Sequence, residues 1–383
     1  MSFYIKAQEI FTEQEIVRDQ YLKISDGRIA AIGEVPGNSD EVLDLGDCRV
    51  VPGFIDLHIH GSGGCDVMDG THEALNTISK TIAANGVVGF LGTTVTDTWE
   101  RNLAALKNVR DVMKKGVDGA QLLGSYSEAI FFTNDFKGAH EGSYFRKPTR
   151  EKLDEMLAAA DGSLKALALA PELDGALDAI RYLTSKGVRV TVGHTGATYE
   201  QCKLAFEAGA VGGVHIFNQM LGLHHREPGT VGAVLHHQDI YAELIADGVH
   251  VNPVVLDLVY RLKGTKKTAL ITDCMCAGGL SDGEYQLGLL KVTVKDGVAR
   301  TESGSLAGST LSLNRAVANM IEMVNVDPLN AVHMASLTPA TILGLQDELG
   351  SIREGKRASL TVLDKNHEVV MTFIDGHQIF TKH

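Results

Sequence analysis

From Pro52 onward, short apolar runs alternate with longer stretches in which apolar residues recur at helical spacing. The runs are F-I-D-L-H-I-H (54–60), V-V-G-F-L-G-T-T-V (87–95), Q-L-L-G-S-Y-S-E (121–128) and A-L-A-L-A-P-E (166–172). V-R-V-T-V-G-H (188–194), V-G-G-V-H-I-F (211–217), Y-A-E-L-I-A-D (241–247) and T-A-L-I-T-D (268–273) follow. Between them lie patterns such as E-A-L-N-T-I-S-K-T-I-A-A and N-L-A-A-L-K-N-V-R-D-V-M-K-K, with apolar residues three and four apart. Strands apolar throughout, separated by amphipathic helices, predict a parallel sheet covered by helices. Eight such units match an α/β fold of the (β/α)8 TIM-barrel type better than an open doubly wound sheet.

The chain ends read differently. Y-L-K-I, R-I-A-A-I after the Asp26–Gly27 turn, and E-V-L-D-L-G-D predict short strands before the barrel. A-S-L-T-V-L, E-V-V-M-T-F-I and, after a second D-G, H-Q-I-F-T predict the same after it. The two ends are therefore expected to pair as one small β domain, residues 1–53 with 345–383, beside a barrel over 54–344. K-V-T-V-K-D-G-V-A-R predicts a β-hairpin inserted after the last barrel strand, near 285–302.

With 383 residues, 44% hydrophobic and 22% charged, the chain has ordinary globular composition. Its formal charge of −13 argues against a nucleic-acid partner or an anionic membrane surface. A phosphorylated small molecule stays open, because a local pocket can be basic in an acidic protein. No apolar stretch approaches the ~20 residues of a membrane span, and the N-terminus lacks signal-peptide character. Five cysteines do not suggest a disulfide framework in a chain of this length. A cytoplasmic protein is the expectation.

Polar residues fall where the apolar runs stop. His58 and His60, Glu128, His194, His215, the Asp247–His250 segment and Asp273 each sit near the end of a predicted strand. Barrel enzymes draw their catalytic groups from those ends. His58 and His60, one residue apart, point to the same side of a strand. An H-x-H pair alone is weak, and so is a single strand-end histidine. His194 and His215 with a carboxylate from another strand give the N,N,O set of a catalytic metal site with open positions. Asp273 reads as a ligand or a general base, with a helix N-cap as the plain alternative. The C-x-C of Cys274 and Cys276 has the wrong spacing for common zinc motifs, and G-S-G-G (61–64) is too short for a P-loop.

P-G-F-I-D-L-H-I-H-G, H-T-G-A-T, H-I-F-N-Q-M, R-E-P-G, A-D-G-V-H, T-D and G-S-L-A-G-S occur in this order over nearly the whole chain. Together they resemble the N-acetylglucosamine-6-phosphate deacetylases, a family of the amidohydrolase superfamily. The resemblance implies a (β/α)8 barrel with a small β-sandwich made from both termini. It implies Glu128, His194 and His215 as principal ligands of a divalent metal, Zn or Fe. His58 and His60 would add a second position, giving one or two ions per chain with Glu128 as bridge. Asp273 matches the catalytic aspartate, which takes a proton from the attacking water and passes it to the leaving amine. Ala139 and His140 match a substrate-contacting segment near the scissile amide. Asn218, Gln219 and Arg226 match the sugar-phosphate site, and Asp247, His250, Leu306, Ala307 and Gly308 match further substrate contacts. The implied substrate is a phosphorylated amino sugar and the implied assembly a homodimer.

One stretch departs from the family pattern. The ligand glutamate is usually followed by Gly-Pro, but here by Ala129 and Ile130, with Tyr126 two positions before it. That implies a different backbone path after Glu128. The competing readings are a deacetylase for N-acetylgalactosamine 6-phosphate, another amidohydrolase acting on cyclic amides or as a deaminase, and a non-catalytic scaffold relative.

Overall fold

A computed structural model describes residues 2–382. Eight parallel strands follow one another around the central sheet in chain order. They are β1 (Phe54–Ile59), β2 (Val87–Thr94), β3 (Gln121–Ser127) and β4 (Leu164–Leu169), then β5 (Arg189–Val192), β6 (Gly212–Gly213), β7 (Tyr241–Ile245) and β8 (Thr268–Ile271). β1, β2 and β8 are buried along their whole length, as expected for strands sandwiched between barrel interior and helices. β8 meets β1 through few backbone bonds, one of them from the Asp273 N–H to the His58 carbonyl at 2.9 Å. The fully buried Asp56 side chain supplies the rest, accepting from the Thr272 hydroxyl at 2.6 Å and from the Thr272 and His58 N–H groups at 3.3 and 3.2 Å. Burial pushes the Asp56 carboxyl up to about 6 despite these donors.

The helices are held to the sheet by apolar faces and started by polar caps. α1 (His72–Ala83), α2 (Trp99–Lys115), α3 (Arg150–Ala160) and, after α4 (Ala176–Ser185), α5 (Tyr199–Ala208) each follow a threonine whose hydroxyl accepts from the first turn, α4 excepted. After α6 (Gly229–His236), α7 (Pro253–Lys263) begins with proline after the Asn252 cap, where a missing N–H costs nothing. After β8 a three-stranded antiparallel insertion (Gly283–Leu287, Leu290–Lys295, Val298–Thr301) precedes the helix Leu313–Val324. The expected hairpin is thus preceded by one more strand. Its tight turn reaches the barrel because Gly288, at φ +54°, has no Cβ; one there would lie 2.7 Å from Val95 Cγ1.

Both chain ends build one eight-stranded sheet beside the barrel. The N-terminal strand Ser2–Phe11 pairs with Ile16–Ser25, and Arg49–Pro52 pairs with the C-terminal strand Leu360–Leu363. The sheet curls until Arg28–Ile32 exchanges backbone bonds with residues 355–358. Ile5, Leu22, Ile24, Val50, Leu360 and Phe373 then share one apolar core inside the curl. Strand Arg49–Pro52 passes directly into β1, so this layer fixes the start of the strand that carries His58 and His60.

Candidate active site

The polar strand ends converge at the C-terminal mouth of the barrel. Glu128 lies just past β3, 2% exposed, with its two oxygens facing different histidines. Oε1 is 3.1 Å from His194 Nε2 and 2.7 Å from His215 Nε2. Oε2 is 3.1 Å from His60 Nε2 and 3.3 Å from His58 Nε2. Asp273, past β8, places Oδ1 3.2 Å from His60 Nε2 and 3.7 Å from His58 Nε2. Two overlapping clusters result, His58–His60–Glu128–Asp273 and Glu128–His194–His215, joined by Glu128. His194, His215 and Asp273 all sit at positive φ (+48°, +25° and +49°), a backbone strain that active sites concentrate. Next to the first of these, Gly193 packs so close to Val214 that a Cβ there would lie 1.9 Å from its Cγ1.

The partners of the ring nitrogens constrain what the clusters can hold. His194 Nδ1 faces the Phe136 carbonyl at 3.0 Å, His60 Nδ1 the Thr93 carbonyl at 3.3 Å and His58 Nδ1 the Glu243 carboxylate at 3.2 Å. Each Nδ1 therefore carries the hydrogen, and each Nε2 turns a lone pair toward carboxylate oxygens. Such pairs repel unless a proton or cation lies between them. His194 Nε2 and His215 Nε2 also face one another at 3.1 Å, and buried His58 Nε2 has no aligned hydrogen bond among the described residues. The donor set, imidazole and carboxylate with no thiolate, suits a divalent metal. Ionisation follows the same logic. Burial alone would raise Glu128, but His58, His194 and His215 hold its carboxyl well below the usual range. Burial alone would lower His60, yet Asp273 and Glu128 bring it to about 9. Protons occupy that site where no cation does.

His140, 5% exposed, stands over the clusters with Nε2 3.7 Å from Glu128 Oε2. Its Nδ1 accepts from the Thr96 hydroxyl at 2.8 Å, and the Thr96 N–H points to it at 3.4 Å. Thr96 Oγ1 in turn accepts the Ile130 N–H at 3.2 Å. Burial and neighbouring His194 hold His140 well below its ordinary pKa. A neutral ring that accepts at Nδ1 must donate at Nε2, toward the cavity. Ile130 itself sits at φ +73°, rare for a β-branched residue. Proline, with φ near −65° and no N–H, has neither property, so the backbone after Glu128 follows a path that Gly-Pro would not.

A cavity over the clusters is lined by His60, Glu128, His140, His194, His215 and Asp273, and by Ala139, Asn218, Gln219, His250, Leu306 and Gly308. Asp247 holds His250 in place, its Oδ2 2.6 Å from Nδ1. Ala307 is buried in the core of the insertion rather than on the cavity wall. Arg226 is not brought to the cavity: it lies on an exposed loop with Nη1 2.6 Å from His225 Nε2. Val95 and Leu287 complete the wall; no signal in the sequence marks them, since neither carries chemistry. Cys48, Cys65, Cys202, Cys274 and Cys276 are all unpaired thiols, and burial pushes the Cys274 thiol above its ordinary pKa.

A parallel barrel with buried histidines and two carboxylates at its strand ends has the donor set of a metal-dependent barrel enzyme. The comparisons agree: residues 49–379 match the amidohydrolase family, and the chain belongs to it. It is 45% identical to N-acetylglucosamine-6-phosphate deacetylase of Vibrio furnissii, over 98% of this chain and 94% of that one. It is also 45% identical to N-acetylgalactosamine-6-phosphate deacetylase of Escherichia coli O157:H7, over 98% and 99% of the two chains. Among solved structures, a mutant N-acetyl-D-glucosamine-6-phosphate deacetylase of Mycobacterium smegmatis, in complex with N-acetyl-D-glucosamine-6-phosphate, superposes with a TM-score of 0.94. That pair shares 32% identity over 99% of this chain and 100% of that chain.

Proposed function

We propose that the chain hydrolyses the acetamide of N-acetylglucosamine 6-phosphate, releasing glucosamine 6-phosphate and acetate. The observation that carries this is the shared Glu128 between two histidine clusters, beneath a cavity that Asp273 and His140 enter. A divalent cation, Zn or Fe, held by Glu128, His194 and His215 would supply carbonyl polarisation and lower the pKa of a bound water from 15.7 to about 7. The chain's own groups do the rest. Asp273, which His60 and His58 hold ionised against the effect of burial, accepts the proton of the attacking water. The same carboxyl then donates it to the departing amine, which an unactivated amide requires. His140 Nε2–H donates to the carbonyl oxygen as negative charge grows there. Asn218, Gln219, His250, Leu306 and Gly308 bound the sugar, while Arg226, on its exposed loop outside the cavity, is left without a phosphate contact within this chain.

Acetate release from the metal-loaded protein tests this directly; no release with Zn, Fe, Mn or Co overturns it. The E. coli relative supports a second reading, the galactosamine epimer, and kcat/KM for the two 6-phosphates side by side decides between them. Equal turnover of the unphosphorylated sugar would remove the phosphate from the substrate reading. A sugar phosphate does not cross membranes unaided, which supports a cytoplasmic setting. Among the described residues no helix is long and apolar enough to cross a membrane. A homodimer belongs to the same reading. The exposed row Val254, Leu258 and Leu262 on α7 supports it, and light scattering tests it. The division into residues 1–53 with 345–383 and 54–344 is likewise proposed; the terminal sheet's own apolar core supports it.

A further inference from the structure

The layer of side chains just beneath the metal clusters is polar where barrel interiors are usually apolar. Such layers take one residue from each alternate strand. Here they are His58 from β1, Tyr126 from β3, Thr191 from β5 and Glu243 from β7, none more than 6% exposed. The Tyr126 hydroxyl lies 2.6 Å from Thr191 Oγ1 and donates to Glu243 Oε1 at 3.1 Å. Glu243 Oε2 lies 3.2 Å from His58 Nδ1, and the Tyr126 ring packs against the His58 ring at 4.9 Å. The chain of donors runs one way: Thr191 to Tyr126, Tyr126 to Glu243, and His58 Nδ1–H to Glu243. Nothing in the catalytic cycle above uses Glu243. A buried carboxylate with no substrate contact is costly to keep unless its partners need it.

The His58 ring is what it holds. With Nδ1–H committed to Glu243, Nε2 must present its lone pair toward Glu128 and Asp273. Among the described residues, the Nδ1 atoms of His60 and His194 meet backbone carbonyls instead, and His215 Nδ1 meets no partner. A carboxylate behind an imidazole both fixes its orientation and raises its basicity as a ligand. We propose that Glu243, oriented by Tyr126 and Thr191, is a positioning residue that makes His58 a competent ligand for the second cation position that the family resemblance already implies. This rests on reading the site as a metal-dependent hydrolase. It also accounts for Tyr126, which stands where the family pattern has a histidine or an apolar residue.

Metal content and chelator competition test it without reference to activity. Wild type, Glu243→Leu, Glu243→Gln and Tyr126→Phe are loaded with zinc, dialysed and assayed for bound metal. The wild type should hold two equivalents. Glu243→Leu should hold one, with its second equivalent weakened about 10–100-fold, and Tyr126→Phe should show a smaller loss of the same equivalent. Gln, whose amide oxygen still accepts from Nδ1–H, should recover part of it. The tighter equivalent, at His194 and His215, should not move, which a general loss of structure could not produce. If Glu243→Leu fails to fold, Tyr126→Phe carries the test alone. Two unweakened equivalents in the folded variants, or a single equivalent in the wild type, overturn the proposal. A wild type that holds none overturns the hydrolase reading beneath it.

Discussion

At the scale of single residues, the proton carriers are set by their neighbours, and each can be tested separately. Asp273→Asn keeps an oxygen near His60 but removes the group that accepts and returns the proton. Metal at Glu128, His194 and His215 should remain while kcat falls about 10²–10⁴-fold. Unchanged kcat in that variant would remove Asp273 from its role. His140 depends on a relay that begins at Ile130. Thr96→Val removes the hydroxyl that donates to Nδ1 and leaves the Ile130 N–H unpaired. A fall of about tenfold or more in kcat with little change in KM is expected, as for a group acting only as charge develops. Ile130→Pro should do more harm, because its φ of +73° is closed to proline. Thermal unfolding should report a loss of about 3 kcal/mol or more; an unshifted midpoint would show that the loop tolerates the family's usual backbone. Glu128, His194, His215 and Asp273 are legible in the sequence because they close successive apolar runs together; each alone has a plainer use. Glu243 is not. It sits inside Y-A-E-L-I, and only the barrel's closure shows that it faces His58 rather than a helix.

At the scale of elements, periodicity carries most of the fold. All eight barrel strands lie within the apolar runs, because burial on both faces favours apolar residues over most of their length. The strand Ser2–Phe11 is hidden in the sequence because adjacent Tyr4–Ile5 and Gln8–Glu9 break its alternation, although nine of its residues pair with Ile16–Ser25. Gly283–Leu287 is hidden in the same way; its partners are supplied by the strand that follows, not by its own pattern. Helix ends show a different economy. The buried Lys263 ammonium of α7 donates to the Val234 and His237 carbonyls at 2.9 and 2.6 Å, closing the C-terminal end of helix Gly229–His236. Burial holds its pKa at about 8, below the ordinary 10.5. Between those values the unfolded chain binds more protons than the folded one, so this residue's contribution to stability rises with pH across that window. Lys263→Met leaves two carbonyls unpaired and should lose about 1–3 kcal/mol. In urea unfolding, the gap to wild type should widen from about pH 8 to about pH 10; a constant gap would mean that Lys263 titrates normally.

At the scale of the whole molecule, one sheet made from both chain ends grips the start of β1, and the barrel delivers the end of β1 to the site. The His58–His60 pair is thus anchored at one end by the terminal sheet and at the other by the Asp273 N–H bond to the His58 carbonyl. The apolar cores of barrel and terminal sheet form without help from the site residues. The clusters themselves pair carboxylates with protonatable imidazoles. Removing the cation should therefore leave a folded protein, with protons replacing metal on His60 and its neighbours. Cation binding to the native state alone adds RT ln(1 + [L]/Kd), about 2.7 kcal/mol at a hundredfold excess over Kd. Exhaustive chelation should lower the unfolding midpoint, keep a single cooperative transition and abolish acetate release. Adding back Zn or Fe should restore both. Loss of the cooperative transition on chelation would instead make the metal part of the fold, and the strand-end histidines structural.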